Sequence, residues 1–155
     1  MKREAPEILW ATVGHAEGET PLTAFDSALI EAGIGQWNLV KVTSVAPPAA
    51  VLVSEPIVIE PGAVVPAVLA SAHSNRAGET ISACVGIGFN SEGHGMIMER
   101  SGPGNPEEME ASVRRMIDES LGRRGLTPES VSVHSVSHTV EKVGSCVAAV
   151  VLWWR

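Results

Sequence analysis

Along this chain of 155 residues, the spacing of hydrophobic and polar residues indicates two kinds of element, helices and strands. The spacing typical of a helix occurs in two segments. Thr20 and Pro21 form a helix start signal, apolar residues recur after them at helical spacing, and Gly33 is placed to end the helix. A second helix is predicted after Asn105 and Pro106. Its apolar face consists of Met109, Val113, Met116, Ile117 and Leu121. Each helix therefore has one face suited to covering a hydrophobic layer.

The other apolar runs are short and rich in β-branched residues, which predicts strands. We expect strands at 8–13, 37–44, 63–72, 81–89, 96–100, 131–140 and 146–154. The last run is almost wholly apolar, so it should be a central strand. The prolines between residues 45 and 62 favour edge strands or extended crossing segments there. The order β, α, several β, α, β, β predicts an α+β fold: a layered αββα-type sandwich of mostly antiparallel sheets with two covering helices.

Composition and charge narrow the classes of function. Hydrophobic residues make up 45% of the chain and charged residues 19%, which is typical of one globular domain over residues 1–155. The net charge of −7 argues against a nucleic-acid partner or an anionic membrane surface, and it is compatible with a cationic small molecule. Cys84 and Cys146 form no CxxC motif and are expected to be small buried side chains in a cytoplasmic protein. No apolar run approaches the roughly 20 residues of a membrane span.

A Thr-Ser pair is the first candidate for chemistry. Thr43 and Ser44 end the predicted strand at 37–44, just before Pro47 and Pro48. A hydroxyl that is held against the preceding peptide carbonyl can attack it, and a rigid strand entering a Pro-Pro turn is one way to hold that geometry. An ordinary pair of polar residues at a strand end is the alternative.

Three other polar side chains are candidates with equally plain alternatives. Glu99 ends the apolar strand at 96–100, where burial would raise its pKa toward that of a general acid, or it pairs with Arg100. Asn38 is predicted to share a strand face with Ser44, where its amide could donate to an oxyanion, or it is a turn residue. Asp26 lies near the edge of the first helix's apolar face, and a solvated carboxylate is the favoured interpretation.

The histidines offer no convincing metal site. His134 and His138 would share one face of a strand, but no third ligand is near them in sequence, so no metal is expected. The chain also lacks a GxSxG nucleophile elbow, a P-loop and a GxGxxG motif. A Ser-His-Asp triad assembled in space stays open at this point.

Five blocks of the sequence resemble the pyruvoyl-dependent arginine decarboxylase family, in the order of that family. They are GETPLTAFDSALIEAGIG at 18–35, NLVKVTSVAPP at 38–48, AGETISA at 77–83, GMIMER at 95–100 and HTVEKVGSCVAAVVLWW at 138–154. The resemblance implies self-cleavage between Thr43 and Ser44 into a β chain, 1–43, and an α chain, 44–155. It also implies that Ser44 becomes a covalently bound pyruvoyl group, the electron sink for decarboxylating arginine to agmatine and CO2.

The same resemblance implies roles for the other candidates. Glu99 matches the family's proton donor, and Asn38 matches a residue that supports processing. Asp26 matches the acid that receives the guanidinium group. Residues that match the family's substrate-lining positions are Leu22, Gly35 and Trp37. Trp37 is either a cation–π partner of the guanidinium or a packing residue.

In the family the site lies between neighbouring subunits of a trimer, so the resemblance implies a trimer and possibly a dimer of trimers. Three alternatives remain open. One is a pyruvoyl enzyme that decarboxylates another amino acid, and the second is an N-terminal-nucleophile hydrolase that keeps Ser44 as a free amino-terminal serine. The third is an unprocessed trimeric binding protein.

Overall fold

The computed structural model describes residues 4–155. Its nine strands and two helices follow the predicted order. In chain order they are β1 (Ile8–Glu17), α1 (Pro21–Glu31), β2 (Asn38–Lys41), β3 (Val45–Ala46), β4 (Val51–Val53), β5 (Val64–Ser74), β6 (Thr80–Phe89), β7 (Gly95–Pro103), α2 (Pro106–Gly122), β8 (Ser130–Thr139) and β9 (Gly144–Trp153).

The strands form two sheets that pack face to face. The first has the order β2-β5-β9-β1-β4, and the second has the order β3-β7-β6-β8. All pairings are antiparallel except β1 with β4 and β2 with β5. The apolar strand β9 is central, as predicted, because it lies between β5 and β1 and is buried on both faces. The fold is therefore an α+β sandwich with mostly antiparallel sheets.

Three hydrophobic layers hold the sandwich together. The middle layer lies between the sheets and includes Leu9, Val68, Ile87 and Ile97. A second layer joins α1 to the outer face of the five-stranded sheet, and a third joins α2 to the outer face of the four-stranded sheet. The order of layers is thus α1, five-stranded sheet, four-stranded sheet, α2, which is the αββα arrangement.

Both helices begin with the predicted caps. The hydroxyl of Thr20 accepts a hydrogen bond from the backbone N–H of Thr23, and the Thr23 hydroxyl bonds back to the N–H of Thr20. The carboxamide of Asn105 accepts from the N–H of Glu108. Gly33 follows the end of helix α1, and its φ of +80° is the left-handed conformation that favours glycine.

Two details of the predicted strands differ in the structure, and a third agrees with it. The strand expected at 37–44 is shorter, since β2 ends at Lys41 and Thr43 and Ser44 lie outside regular structure. Glu99 is in the middle of its strand rather than at the end, because β7 continues to Pro103. Pro66 was expected to make part of its strand an edge or bulge, and β5 does have a partner on one side only at this residue. Pro66 pairs with β2 just before the β5–β9 ladder begins at Ala67, where its missing N–H breaks no bond of that ladder.

Among residues 4–155, no helix is long and apolar enough to cross a membrane. Cys84 and Cys146 are both free and buried. Burial raises the pKa of the Cys84 thiol to about 11 and that of the Cys146 thiol to about 12, so both thiols are neutral packing groups.

Candidate active site

The backbone around Thr43 and Ser44 passes from one sheet to the other. The N–H of Val42 donates to the carbonyl of Ala67 in β5 at 3.0 Å, which extends the β2–β5 pairing by one residue. The carbonyl of Ser44 accepts from the N–H of Ile97 in β7 at 2.6 Å. The Thr43–Ser44 peptide therefore joins a segment fixed to the five-stranded sheet to a segment fixed to the four-stranded sheet.

The segment after Ser44 is held closely against β7. Val45 and Ala46 form β3, which pairs antiparallel with Met96 and Gly95. A Cβ atom on Gly95 would collide with the backbone carbonyl of Gly88 in β6 and would lie 3.2 Å from the Cβ of Ala46, so glycine is needed mainly for the pairing of β7 with β6. Thr43 is exposed and Ser44 is half-buried. The Ser44 backbone is thus anchored while the peptide before it faces solvent.

Glu99 lies near this crossing. It is two residues beyond Ile97 in β7, so the two side chains project to the same face of the strand, which is the face toward the other sheet. Its partner across the ladder is the fully buried Val85. Glu99 is exposed as a residue, but desolvation of its carboxyl by the surrounding protein raises its pKa above the usual value, and the nearby ammonium of Lys41 opposes that rise. A carboxyl of this kind is suited to proton donation.

Lys41 is a member of this group that sequence reasoning missed. It ends β2 and pairs with Ala67, next to the point where the chain leaves the five-stranded sheet. The available sequence signal was its place as the single charged residue in the apolar strand before Ser44. Its influence on Glu99 depends on the packing of β7 beside β5, for which the Ser101 hydroxyl donating to the Ser71 carbonyl at 2.8 Å is one contact.

Asn38 does not share a regular strand face with Ser44, contrary to the sequence expectation. Strand β2 ends at Lys41, so the two-residue period stops before Ser44. The side-chain amide of Asn38 instead donates to the carbonyl of Gly62 at 2.9 Å, and its backbone N–H donates to Ala63 at 2.8 Å. In the isolated chain Asn38 therefore fixes the start of β2, the strand that leads to the Thr43–Ser44 peptide.

Asp26 and Leu22 lie on a different layer from Ser44. They are four residues apart on α1, so they share one face of the helix, and both are exposed. Helix α1 covers the outer face of the five-stranded sheet, whereas Ser44 is bonded to the four-stranded sheet. A cleft of about 320 Å³ lies between the first turns of α1 and the ends of β5 and β9. Its lining is Pro21, Leu22, Phe25, Ser71, Ala72, His73 and Ser145.

Gly35 and Trp37 have clear packing functions in the folded chain. The indole N–H of Trp37 donates to the carbonyl of Ile59 at 3.2 Å, and its ring meets Trp10 edge to face at a centroid distance of 6.5 Å. A Cβ on Gly35 would lie 2.9 Å from the backbone nitrogen of Ile30, so the turn after α1 needs glycine. Of the two interpretations of Trp37, the structure of the single chain shows the packing contact.

The histidines are not arranged as metal ligands. His134 bonds to the Ser132 hydroxyl at 2.8 Å, and His138 contacts His15 and Glu17 instead of His134. Within residues 4–155, no group of three or more His, Cys, Asp or Glu side chains converges so as to hold a metal ion.

Comparison with known proteins gives the family of the chain. The family model described as pyruvoyl-dependent arginine decarboxylase matches residues 8–154. A protein of that name from Methanocaldococcus jannaschii is 39% identical over 152 residues, covering 97% of this chain and 92% of the relative. Its namesake from Pyrococcus abyssi is 43% identical over 142 residues, or 89% of each chain. The Methanothermobacter thermautotrophicus protein of the same name is 40% identical over 141 residues, covering 90% and 92%. The chain therefore belongs to the pyruvoyl-dependent arginine decarboxylase family, carboxy-lyases with a covalently bound pyruvoyl group.

Proposed function

We propose that the chain cleaves itself between Thr43 and Ser44, converts Ser44 into the pyruvoyl group and then decarboxylates arginine to agmatine and CO2. The observation that supports this most is the Thr43–Ser44 peptide joining segments that are bonded to different sheets. Each side of that peptide has its own anchor, at Ala67 and at Ile97. The two new chain ends can therefore separate without unfolding either sheet.

The residues around Ser44 fit a pyruvoyl group. Cleavage before Ser44 leaves its carbonyl in the α chain, where the hydrogen bond from the Ile97 N–H persists. That carbonyl would be the amide carbonyl next to the ketone. When bound, the pyruvoyl group supplies an electron sink for the carboxylate that leaves as CO2. The Ile97 N–H then stabilises negative charge that develops on the Ser44 carbonyl.

Glu99 is the proposed proton donor. Its raised pKa keeps the carboxyl protonated to higher pH than an ordinary glutamate, and its position two residues from Ile97 places it beside the anchored end. The ammonium of Lys41 favours the carboxylate form of Glu99 and so limits how far its pKa is raised. Asn38, which holds the start of β2 through the Gly62 carbonyl, would support processing by fixing the strand before the cleaved peptide.

Arginine is the proposed substrate because of the chemistry around Asp26. Its carboxylate is exposed between Leu22 and Ile30, which are 74% and 55% exposed. A carboxylate offers the paired hydrogen bonds that suit a guanidinium group, and apolar neighbours suit its aliphatic stem. Leu22 would line this site, with Gly35 and Trp37 shaping the turn after α1. A shorter or neutral side chain would leave Asp26 without this partner.

Since Asp26 and Ser44 lie on different layers of one chain, we propose that the site combines Asp26 of one subunit with Ser44 of its neighbour in a trimer. Exposed apolar residues are present on both sides of such a contact, at Val42 and Val45 next to Ser44 and at Leu22 and Ile30 on α1. A folded monomer would leave these side chains in water, and burying them on assembly is favourable. A further pairing of trimers and a cytoplasmic location belong to the same proposal.

The mass of the purified, denatured protein tests the proposal. We expect two fragments, and the larger should be lighter by one ammonia than a chain that begins with Ser44. The Ser44→Ala variant should remain one uncut chain without activity. Thr43→Ser is the matched variant: it removes one methyl beside the attacked carbonyl, so it should cleave at least as fast as the native chain.

Other masses would contradict parts of the proposal. A free amino-terminal serine would indicate an N-terminal-nucleophile hydrolase, and a chain that stays uncut after prolonged incubation would indicate a binding protein. Turnover of arginine, ornithine, lysine, histidine and aspartate by the processed protein tests the substrate separately. Faster turnover of another amino acid than of arginine would overturn the substrate assignment and leave the processing chemistry standing.

A further inference from the structure

Two histidines that are 123 residues apart form a direct hydrogen bond outside the proposed active site. The Nδ1 atoms of His15 in β1 and His138 in β8 are 2.9 Å apart. Since β1 is in the five-stranded sheet and β8 is in the four-stranded sheet, this bond joins the two sheets. The side chain of His15 is 45% exposed and that of His138 is 11% exposed. We call these two histidines the imidazole pair.

Each imidazole has a carboxylate at its other nitrogen. The Nε2 of His138 is 2.5 Å from Oε2 of Glu17, and the Nε2 of His15 is 3.7 Å from Oε1 of Glu31 in α1. Glu17 is itself fixed, because its Oε1 accepts the backbone N–H of Lys142 at 2.7 Å and that of Val143 at 3.2 Å. These contacts, together with His138, hold the pKa of Glu17 below its usual value despite partial burial. Glu17 therefore remains a carboxylate at neutral and mildly acidic pH.

The backbone at Gly144 leaves the space that the contact between His138 and Glu17 occupies. A Cβ atom on Gly144 would lie 2.5 Å from Cδ2 of His138 and 2.6 Å from Oε2 of Glu17. A side chain at residue 144 would therefore collide with both groups. Glycine at the start of β9 is what allows the imidazole of His138 to reach Glu17 and His15 at once.

The groups that face the imidazole pair come from every element packed against it. Strand β1 contributes Glu17, α1 contributes Glu31, and the loop after β8 contributes the backbone N–H groups that bind Glu17. Strand β9 places the thiol of Cys146 opposite His15, and burial keeps that thiol neutral by raising its pKa to about 12. Among residues 4–155, no group of three or more His, Cys, Asp or Glu side chains could hold a metal ion, so the pair and its two carboxylates are not a metal site.

The number of protons on the pair decides whether the bond exists. An Nδ1···Nδ1 hydrogen bond needs one donor and one acceptor. With both imidazoles neutral, or with one protonated, one Nδ1 donates to the other while Glu17 accepts from the Nε2–H of His138. When both imidazoles are protonated, two N–H donors and two positive charges face each other, so the bond is lost.

We propose that the imidazole pair is a proton-sensitive link between the two sheets, closed at neutral pH and open once both rings are protonated. Opening would release the end of β1 from β8, because the two protonated rings repel each other while each keeps its own carboxylate, Glu31 for His15 and Glu17 for His138. This proposal does not depend on self-cleavage or on the identity of the substrate. Its chemistry uses only proton uptake from water by the two rings.

Nuclear magnetic resonance of the purified protein with ¹⁵N-labelled histidine tests the link directly. We expect a scalar coupling between the Nδ1 nuclei of His15 and His138 at about pH 7.5 and its disappearance at about pH 5. Absence of the coupling at neutral pH, or its persistence at the lower pH, would overturn the proposal.

Amide hydrogen exchange gives a second readout through the end of β1, where the N–H of Gly18 donates to the Val143 carbonyl at 3.0 Å. After correction for intrinsic rates, protection of residues 16–18 should fall about tenfold more between these pH values in the native chain than in His15→Asn. The asparagine amide can donate to neutral His138 or accept from protonated His138, so that variant keeps a bond at both pH values. His73→Asn, on an exposed histidine of β5, is the control and should behave like the native chain. Equal loss of protection in His15→Asn and the native chain would contradict the link.

Discussion

The two helices cover the outer faces of the two sheets, but they present different surfaces to their surroundings. On α1 the exposed residues Leu22, Asp26 and Ile30 follow one another at four-residue spacing, so one carboxylate lies between two apolar side chains. The exposed residues of α2 are mostly charged. They include Glu107, Glu108, Arg114, Arg115, Asp118 and Glu119. Helix α2 thus has the surface expected in water, whereas α1 has a surface suited to a partner and a cationic ligand.

The two helices also pack on their sheets in different ways. Helix α1 buries the small residues Ala24 and Ala28, and Gly14 of β1 lets its backbone approach the sheet. Helix α2 buries larger residues, such as Val113 and Ile117, against glycines of β6. Close backbone contact fixes the position of α1 firmly. This suits a helix whose outer face is used for binding, because a binding site needs a rigid support.

The largest expected effect is on the free energy of unfolding, and it compares the packing of α1 with that of α2. In Gly14→Ala the new methyl would meet backbone atoms of α1, with the nitrogen of Ala32 at 2.7 Å, and backbone cannot move aside without shifting the helix. In Gly86→Ala it would meet the side chain of Val113 at 2.5 Å. We expect a loss of about 3 kcal/mol or more in the first variant and about 1–2 kcal/mol in the second, measured by denaturant unfolding. Equal losses would mean that α1 is no more rigidly placed than α2.

The next effect concerns the two exposed aspartates. Asp26→Asn should lower kcat/KM for arginine by about 10–100-fold, since it removes a charge-assisted pair of hydrogen bonds to the guanidinium group. Asp118→Asn on α2 is the matched control and should leave kcat/KM unchanged. Steady-state kinetics of processed protein measure both. Unchanged arginine turnover in Asp26→Asn would show that the guanidinium group binds elsewhere.

A smaller effect is expected on assembly. Ile30→Glu places a charge in the exposed apolar face of α1, so the trimer should dissociate at about tenfold higher concentration. Arg115→Glu changes an exposed residue of α2 by two charge units and should leave assembly as it is. Sedimentation velocity over a range of concentrations measures the shift. A trimer weakened equally by both variants would place α2 in the interface as well.

The smallest effect tests whether Asp26 on α1 acts independently of Glu99, the proposed proton donor. As the proposed proton donor, Glu99 would donate only below its pKa, so kcat should fall as pH rises through that pKa. Lys41 lowers the pKa of Glu99, hence Lys41→Met should raise it and move the alkaline limb of the kcat profile to higher pH. Glu99→Gln should remove the limb, and Asp26→Asn should leave it in place. Movement of the limb in Asp26→Asn alone would contradict the separation.

Elements with strong local signals could be predicted from the sequence. The caps at Thr20 and Asn105 are formed by residues within three positions of each other, so they need no tertiary information. The central place of β9 follows from its continuous apolar run. The prediction failed where a local pattern was interrupted by tertiary contacts. The run 37–44 looked like one strand, but the chain leaves one sheet after Val42 and joins the other at Ser44.

The candidate site likewise contains residues that the sequence indicated and contacts that it did not indicate. Ser44, Glu99, Asn38 and Asp26 were candidates from local sequence patterns. The resemblance of five sequence blocks to one family supplied their roles, which stay predictions. The influence of Lys41 on Glu99 and the bond between His15 and His138 had no usable sequence signal. The residues involved are separated by 58 and 123 positions, respectively.

By itself, the sequence determined the order of elements, the two helix starts, the apolar central strand and the family resemblance. These depend on residue type and short-range spacing, which determine local backbone preference and one-sided burial. Only the tertiary structure decided that the Thr43–Ser44 peptide joins the two sheets, that Asp26 lies on another layer, and that two distant imidazoles share a hydrogen bond. The physical reason is that strand pairing and sheet packing bring together residues that are far apart along the chain. Local sequence patterns do not specify which distant residues will be in contact.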